Sequence, residues 1–225
     1  MSQIRDYYDA LARDYDRNRF ENSYGRYVDA QERGILRHWL DGIAPEKIVD
    51  IGCGTGRLLD FAMTGVDTSG EMLKVAAEKF AGRHLIQSSL PNLEALDGVY
   101  RGAICFHVFM HLHEDLVAQS LQAIARKVVQ GGFLVFDIPS RYRRALGRRR
   151  ASDTGWHGDT AASRQDIERL MGANWRIVRR RGVLFFPIHL VPAFMRPGLR
   201  WLDTCIGRTP LGCYASYHVY QLERT

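Results

Sequence analysis

Gly52-Cys53-Gly54-Thr55-Gly56 follows directly on the apolar run Ile48-Val49-Asp50-Ile51. Glycines at alternate positions let a backbone turn sharply off a strand and come close to a ligand. A helix after such a loop offers free N–H groups and the positive end of its dipole, which suit a carboxylate or phosphate. Asp67 ends the next apolar run, where a carboxylate can accept from both hydroxyls of a ribose. Nicotinamide-binding loops read G-x-G-x-x-G, and Arg57 holds the third glycine's place here. The G-x-G-x-G spacing instead suits a nucleoside that carries no pyrophosphate.

Three histidines could move protons beside such a loop. His107 and His111 lie on the segment leaving a later apolar run, and His157 interrupts an otherwise polar stretch at Trp156-His157-Gly158. An imidazole titrates near neutrality, so each is a general-base candidate, and each can equally be a hydrogen-bonded structural residue. His113 reads as a solvated residue at a helix start, and His189 as a core or cap residue.

The positioning elements follow from periodicity. Residues 1–16 and 24–42 read as helices. Strands are expected through Ile51, over 63–67, 84–87, 103–109 and 133–138. Between them come a brief helix at 57–61, a helix capped by the box Thr68-Ser69-Gly70-Glu71, and a long helix over 114–130 closed by Gly131. Such alternation predicts a parallel sheet with helices on both faces and a ligand crevice at the carboxyl ends of the strands. Beyond Ile138 a helix near 163–172, a strand over 177–185, an irregular stretch over 188–212 and a strand over 214–222 are expected. No repeat or linker divides the chain, so 1–225 reads as one domain.

The chain has 225 residues, 46% hydrophobic and 25% charged, which excludes a disordered tail, a collagen-like fibre and a disulfide-stapled miniprotein. Its charge is split. Residues 1–138 carry 15 basic and 19 acidic side chains, whereas residues 139–225 carry 16 arginines against six acids. A basic region is a footprint for an anionic partner, although arginine so dominates lysine throughout that codon bias explains part of it. Cys53, Cys105, Cys205 and Cys213 have neither CxxC nor metal-ligand spacing, so a reducing compartment and no metal are expected. The N-terminus is polar, without the apolar core of a secretion signal, and Val183–Met195 is too short to span a bilayer. A cytoplasmic location is the expectation.

The sequence resembles the class I S-adenosylmethionine-dependent methyltransferases of small molecules. VDIGCGTGRLLDF resembles their first motif, GVDTSGEML the second strand with its acidic end, AICFHVFMHLHED the fourth-strand motif, and QGGFLVFDIP the fifth strand. The resemblance implies a Rossmann-like seven-stranded sheet of order 3-2-1-4-5-7-6, its last strand antiparallel, with helices on both faces. Residues 1–43 would form a helical lid, 44–138 the cofactor-binding core, and 139–160 and 188–212 insertions on the substrate side. The implied cofactor is S-adenosyl-L-methionine, leaving as S-adenosyl-L-homocysteine. The loop Gly52, Cys53, Gly54, Thr55 and Gly56 would cradle its methionine end, with Asp50 ordering the ammonium and Asp67 the ribose. Thr68 and Met72 would lie beside the adenine, with Ser88 and Ser89 at the third-strand exit. Cys105 and Phe106 would offer backbone carbonyls, His107 would stand at the mouth, and Tyr15 would close over the site. The chain departs from the family in a short Gly56–Asp67 segment, in Arg101 where Asp is common, and in Gln87-Ser88-Ser89 where Gly-Asp-Ala is usual.

These features together predict methyl transfer to O or N of a small or lipid- or sugar-type metabolite, anionic or hydrophobic. Peripheral membrane contact fits the mixture of apolar residues and arginines over 184–208. The alternatives are a nucleic-acid (tRNA) methyltransferase and a non-catalytic protein that binds the cofactor. The first lacks the Asn/Asp-Pro-Pro-aromatic motif of amino-methylating DNA enzymes at Phe106-His107-Val108-Phe109, and its arginines lack interleaved stacking aromatics.

Overall fold

A side-chain period of two divides the strand residues between two layers. The computed structural model describes residues 2–146 and 160–225. The chain opens with α1 (Ser2–Leu11), α2 (Tyr15–Arg19) and α3 (Ser23–Trp39). Next come β1 (Ile48–Ile51), β2 (Thr64–Asp67), α4 (Gly70–Lys79), β3 (His84–Gln87) and β4 (Tyr100–Cys105). α5 (Glu114–Lys127) runs directly into β5 (Val128–Pro139), followed by α6 (Arg141–Leu146) and α7 (Arg164–Met171). β6 (Trp175–Val183), α8 (Arg196–Gly207) and β7 (Tyr217–Arg224) complete the chain. The sheet runs β3-β2-β1-β4-β5-β7-β6, with β7 antiparallel to both neighbours and the other pairs parallel. This is the expected order.

Val49, Ile51, Ala103, Cys105, Leu134 and Phe136 pack against α5 and α7 through Leu121, Ile124, Ile167 and Leu170. Ile48, Ile104, Phe133 and Val135 face the other way, onto Leu36 and Trp39 of α3 and into one cluster with Leu73 of α4. The same alternation turns Asp50 and Asp137 toward α3. That helix is thus a buried layer of the fold, with Tyr27, Leu36 and Trp39 in the core. Within the described residues of 1–43, Ile4, Tyr8, Tyr15 and Phe20 reach the hollows at the carboxyl end of the sheet.

Several boundaries differ from expectation. No helix forms over 57–61. Gly56, Leu59 and Phe61 instead donate to Cys53, Gly56 and Leu58 in successive three-residue turns. The cause is twofold: few residues separate the loop from β2, and Arg57 is held sideways by Glu32 and Asp29, each at 2.8 Å. The cap of α4 is Ser69, whose Oγ accepts from Met72 N at 3.1 Å, so the Thr68 box does not form. β4 begins three residues earlier than expected and ends at Cys105, because His107 adopts a left-handed φ of 59° that breaks the extended chain. β5 begins at Val128, five residues early, with Gly131-Gly132 absorbing the irregular register against β4.

Candidate functional site

The carboxyl ends of β1, β2 and β4 and the β3 exit surround a cavity of about 130 Å³, roofed by Ile4, Tyr8 and Tyr15. Its floor depends on Gly52. A Cβ there would sit 2.2 Å from Val108 Cγ2, and the φ of 76° is one that side chains disfavour. Gly54 N donates to Asp67 Oδ2 at 2.8 Å, and Ser69 N donates to Oδ1 at 2.8 Å. The two carboxylate oxygens together offer about four lone-pair directions, more than these backbone donors use, so the fixed Asp67 keeps acceptor capacity for a ligand hydroxyl. Desolvation pushes its carboxyl up, against the pull of these N–H groups.

A smaller hollow adjoins the first under the loop, lined by Asp50, Cys53, Thr55 and Arg57 among others. Asp50 is buried, and no hydrogen bond or ion pair reaches its carboxyl from the described residues. Burial pushes it up to about 7, with Arg57 opposing and Asp67 reinforcing the shift. A buried carboxyl that opens on a hollow and lacks a partner fits a ligand cation.

Tyr15, Gly52, Gly54, Asp67, Thr68, Met72, Ser88, Ser89, Phe106, His107 and His111 all line the cavity. Asp50, Cys53 and Thr55 line the smaller hollow. Gly56 and Cys105 line neither: Gly56 makes the turn with a φ of 86°, and Cys105 is buried within β4. His157 lies outside the described residues. His113 is exposed at the start of α5, while His189, expected in a core or cap, is exposed on a 3-10 turn. Residues 188–212 contribute nothing to the cavity wall among the described residues.

His107 and His111 differ sharply. The His107 ring lies between two buried carboxylates, with Nε2 3.0 Å from Glu32 Oε1 and Nδ1 3.3 Å from Asp137 Oδ2. Its backbone N–H also donates to Asp137 Oδ1 at 2.6 Å. Burial works against its charged form, but Glu32 and Asp137 outweigh that and raise its pKa. Glu32 is correspondingly lowered: His107 and Arg57 overcome its burial. Burial and Glu32 push Asp137 up against the pull of His107. With a carboxylate beside each ring nitrogen, His107 is placed to be held by its neighbours. Glu32, His107 and Asp137 are also close enough to share a metal ion, but Arg57 already neutralises Glu32 and the two ring nitrogens point at different carboxylates. His111, by contrast, meets the Tyr8 hydroxyl through Nε2 at 2.9 Å on the cavity wall.

The roof is tied down by side chains. Ser69 Oγ donates to Asp9, Thr55 Oγ1 donates to Asp16 at 2.6 Å, and Lys79 pairs with Asp16. The rings of Tyr8 and Tyr15 meet edge-on at 5.8 Å.

Residues 49–136 match the family model described as a methyltransferase domain. A protein of Geobacillus sp. (strain WCH70) with a provisional methyltransferase name is 28% identical over 148 residues, 60% of this chain and 59% of that one. A trans-aconitate 2-methyltransferase of Rhodopseudomonas palustris is 30% identical over 116 residues, 47% of this chain and 42% of that one. The magnesium protoporphyrin IX methyltransferase of Synechocystis PCC 6803, solved with bound SAH, shares the fold: TM-score 0.68 at 18% identity, over 100% of this chain and 99% of that one. Residues 49–136 thus match a methyltransferase domain, and the chain shares its fold with S-adenosylmethionine-dependent methyltransferases of known structure. It spans about half the length of the curated relatives it matches.

Reading the sequence missed Glu32 and Asp137 of this site. Both had a signal. Glu32 sits on the apolar stripe of α3 between Val28 and Leu36, and Asp137 interrupts the apolar run of β5 two positions after Val135. A lone acid on a buried face requires a partner. The missing helix after the glycine loop also removes the dipole expected there, and Arg57 is instead the nearby positive charge.

Proposed function

We propose that the chain transfers a methyl group from S-adenosylmethionine to an oxygen or nitrogen of a small or lipid- or sugar-type metabolite. The observation that carries this reading is the pairing of Asp67, a backbone-held carboxylate on the cavity wall, and Asp50, a buried carboxyl without a partner. Together they offer acceptors for a ribose and for an ammonium on either side of one glycine loop. S-adenosylmethionine, when bound, supplies a methyl group already activated by its sulfonium.

The chain's own residues position and dry the site. Gly52 and Gly54 bring the backbone close, Thr68 and Met72 with Ser88 and Ser89 form the remaining wall for an adenine, and Tyr8 and Tyr15 exclude water from above. His111 is the proton acceptor if the substrate is a hydroxyl or an ammonium, with Tyr8 orienting its ring through Nε2. His107 is a positioning residue: clamped by Glu32 and Asp137, it fixes the chain leaving β4 against α3 and β5.

Incubation with methyl-labelled S-adenosylmethionine and either a low-molecular-weight cell extract or tRNA tests this. Label should enter the small-molecule fraction, and His111→Gln should slow transfer while leaving cofactor affinity within about twofold. Label in tRNA alone, or in no product, would overturn the reading in favour of a nucleic-acid enzyme or a non-catalytic binder.

A further inference from the structure

Residues 184–216 join β6 to β7 at the carboxyl end of the sheet. Tyr217, where β7 begins, meets the His107 ring edge-on at 6.0 Å, so this connection adjoins the candidate site. One side of α8 is fixed inward. Asp203 is fully buried and accepts from the Tyr27 hydroxyl at 3.0 Å, the Gln31 amide at 3.1 Å, and the N–H groups of Phe185 and Phe186. Leu199, Asp203 and Gly207, four residues apart, therefore face the body, and Trp201 and Leu202 are turned to solvent.

An ordinary solvated helix presents polar side chains on that side. Here Trp201 is 72% exposed, and the preceding turns expose Phe194 at 83% and Leu190 at 74%. α6 extends the surface, with Tyr142 exposed 6.3 Å from the ring of exposed Tyr214. Arg200 and Arg208 stand exposed on the same connection, and its one acid, Asp203, is consumed by its buried bonds. Monomeric proteins rarely expose apolar residues in such a cluster without a partner. Large apolar tips among guanidinium groups, with no exposed carboxylate on this connection, complement anionic headgroups above an acyl boundary.

We propose that this face docks on an anionic lipid bilayer, with Phe194 and Trp201 entering the interface and Arg200 and Arg208 meeting lipid phosphates. The inference goes beyond methyl transfer and is read out without it. Flotation with phosphatidylcholine vesicles, with and without phosphatidylglycerol, tests it. The chain should float with the anionic vesicles and remain unbound with pure phosphatidylcholine. Phe194→Glu/Trp201→Glu and, separately, Arg200→Ser/Arg208→Ser should each cut the bound fraction at least about tenfold, since each basic contact contributes about 1 kcal/mol. All four side chains are exposed, and unchanged thermal melts would show that the variants fold. Absence of anionic flotation, or flotation unaltered in both variants, would overturn the proposal. So would a solution dimer that the Glu variant dissociates, because a second copy would then be the occupant. Titration of S-adenosylhomocysteine into the same samples keeps failure of this proposal distinct from failure of the methyl-transfer reading.

Discussion

Asp50 is unusual at the scale of a single residue, because a buried carboxyl ordinarily has a partner. Its folded pKa of about 7 lies above the ordinary 3.8, so ionising it destabilises the ligand-free protein as pH rises between those values. A ligand ammonium reverses that cost. Affinity for S-adenosylhomocysteine should therefore climb as pH rises to about 7 and then level, and Asp50→Asn should bind more weakly with a flat profile; titration calorimetry across pH checks this. Gly52 makes a steric claim. Gly52→Ala combines a φ of 76° with a Cβ 2.2 Å from Val108, so it should lose about 1–3 kcal/mol of stability or cofactor affinity. Val108→Ala in the same chain should recover only part, since it relieves the clash and leaves the backbone strain; melts and titration of both variants decide. His107 titrates in the opposite sense to a buried neutral histidine. Its pKa is raised, so its stabilising contribution is complete below about pH 6.5 and is lost as pH rises through the higher folded value. His107→Gln should flatten the fall in melting temperature over that range.

Among the elements, the N-terminal roof depends on one hydroxyl. Ser69 caps α4 by accepting from Met72 N while its own Oγ donates to Asp9 of α1. Ser69→Ala should cost about 1 kcal/mol of stability from the cap and loosen α1 at the same time. Denaturant melts measure the first effect, and faster hydrogen exchange in 4–11 the second. Element existence was largely legible in the sequence, because strong apolar periods separated by glycines leave few alternatives for β1 to β5. The errors share a cause: long-range bonds overrode local preference. Arg57 left the expected helix at 57–61 to reach Glu32, Ser69, bonded to Asp9 of α1, displaced Thr68 as a cap, and His107 ended β4 early to bond with Asp137. None of those partners is near in sequence, so no local pattern announces them.

The molecule as a whole divides into a cofactor side and an outward face. The floor of the candidate site was legible from glycine spacing and Asp67, since strand, loop and carboxylate are local signals. Tyr15 in its roof came only with the family resemblance, and its ionic support was not legible, because Tyr8 reaches His111 across 103 residues and Glu32 reaches His107 from α3. Residues 139–225 carry the positive charge, and two of their arginines, Arg200 and Arg208, stand on the exposed surface of the β6–β7 connection with Trp201. No helix among the described residues is long and apolar enough to cross a membrane. Calorimetric titration of S-adenosylhomocysteine into the wild-type chain and Asp67→Ala at neutral pH tests the central claim most directly. The expected result is one site per chain with micromolar affinity, about −8 kcal/mol, weakened roughly tenfold to a hundredfold in the variant as the ribose loses a charged acceptor. Absence of binding to the wild type, or equal binding to the variant, would contradict it.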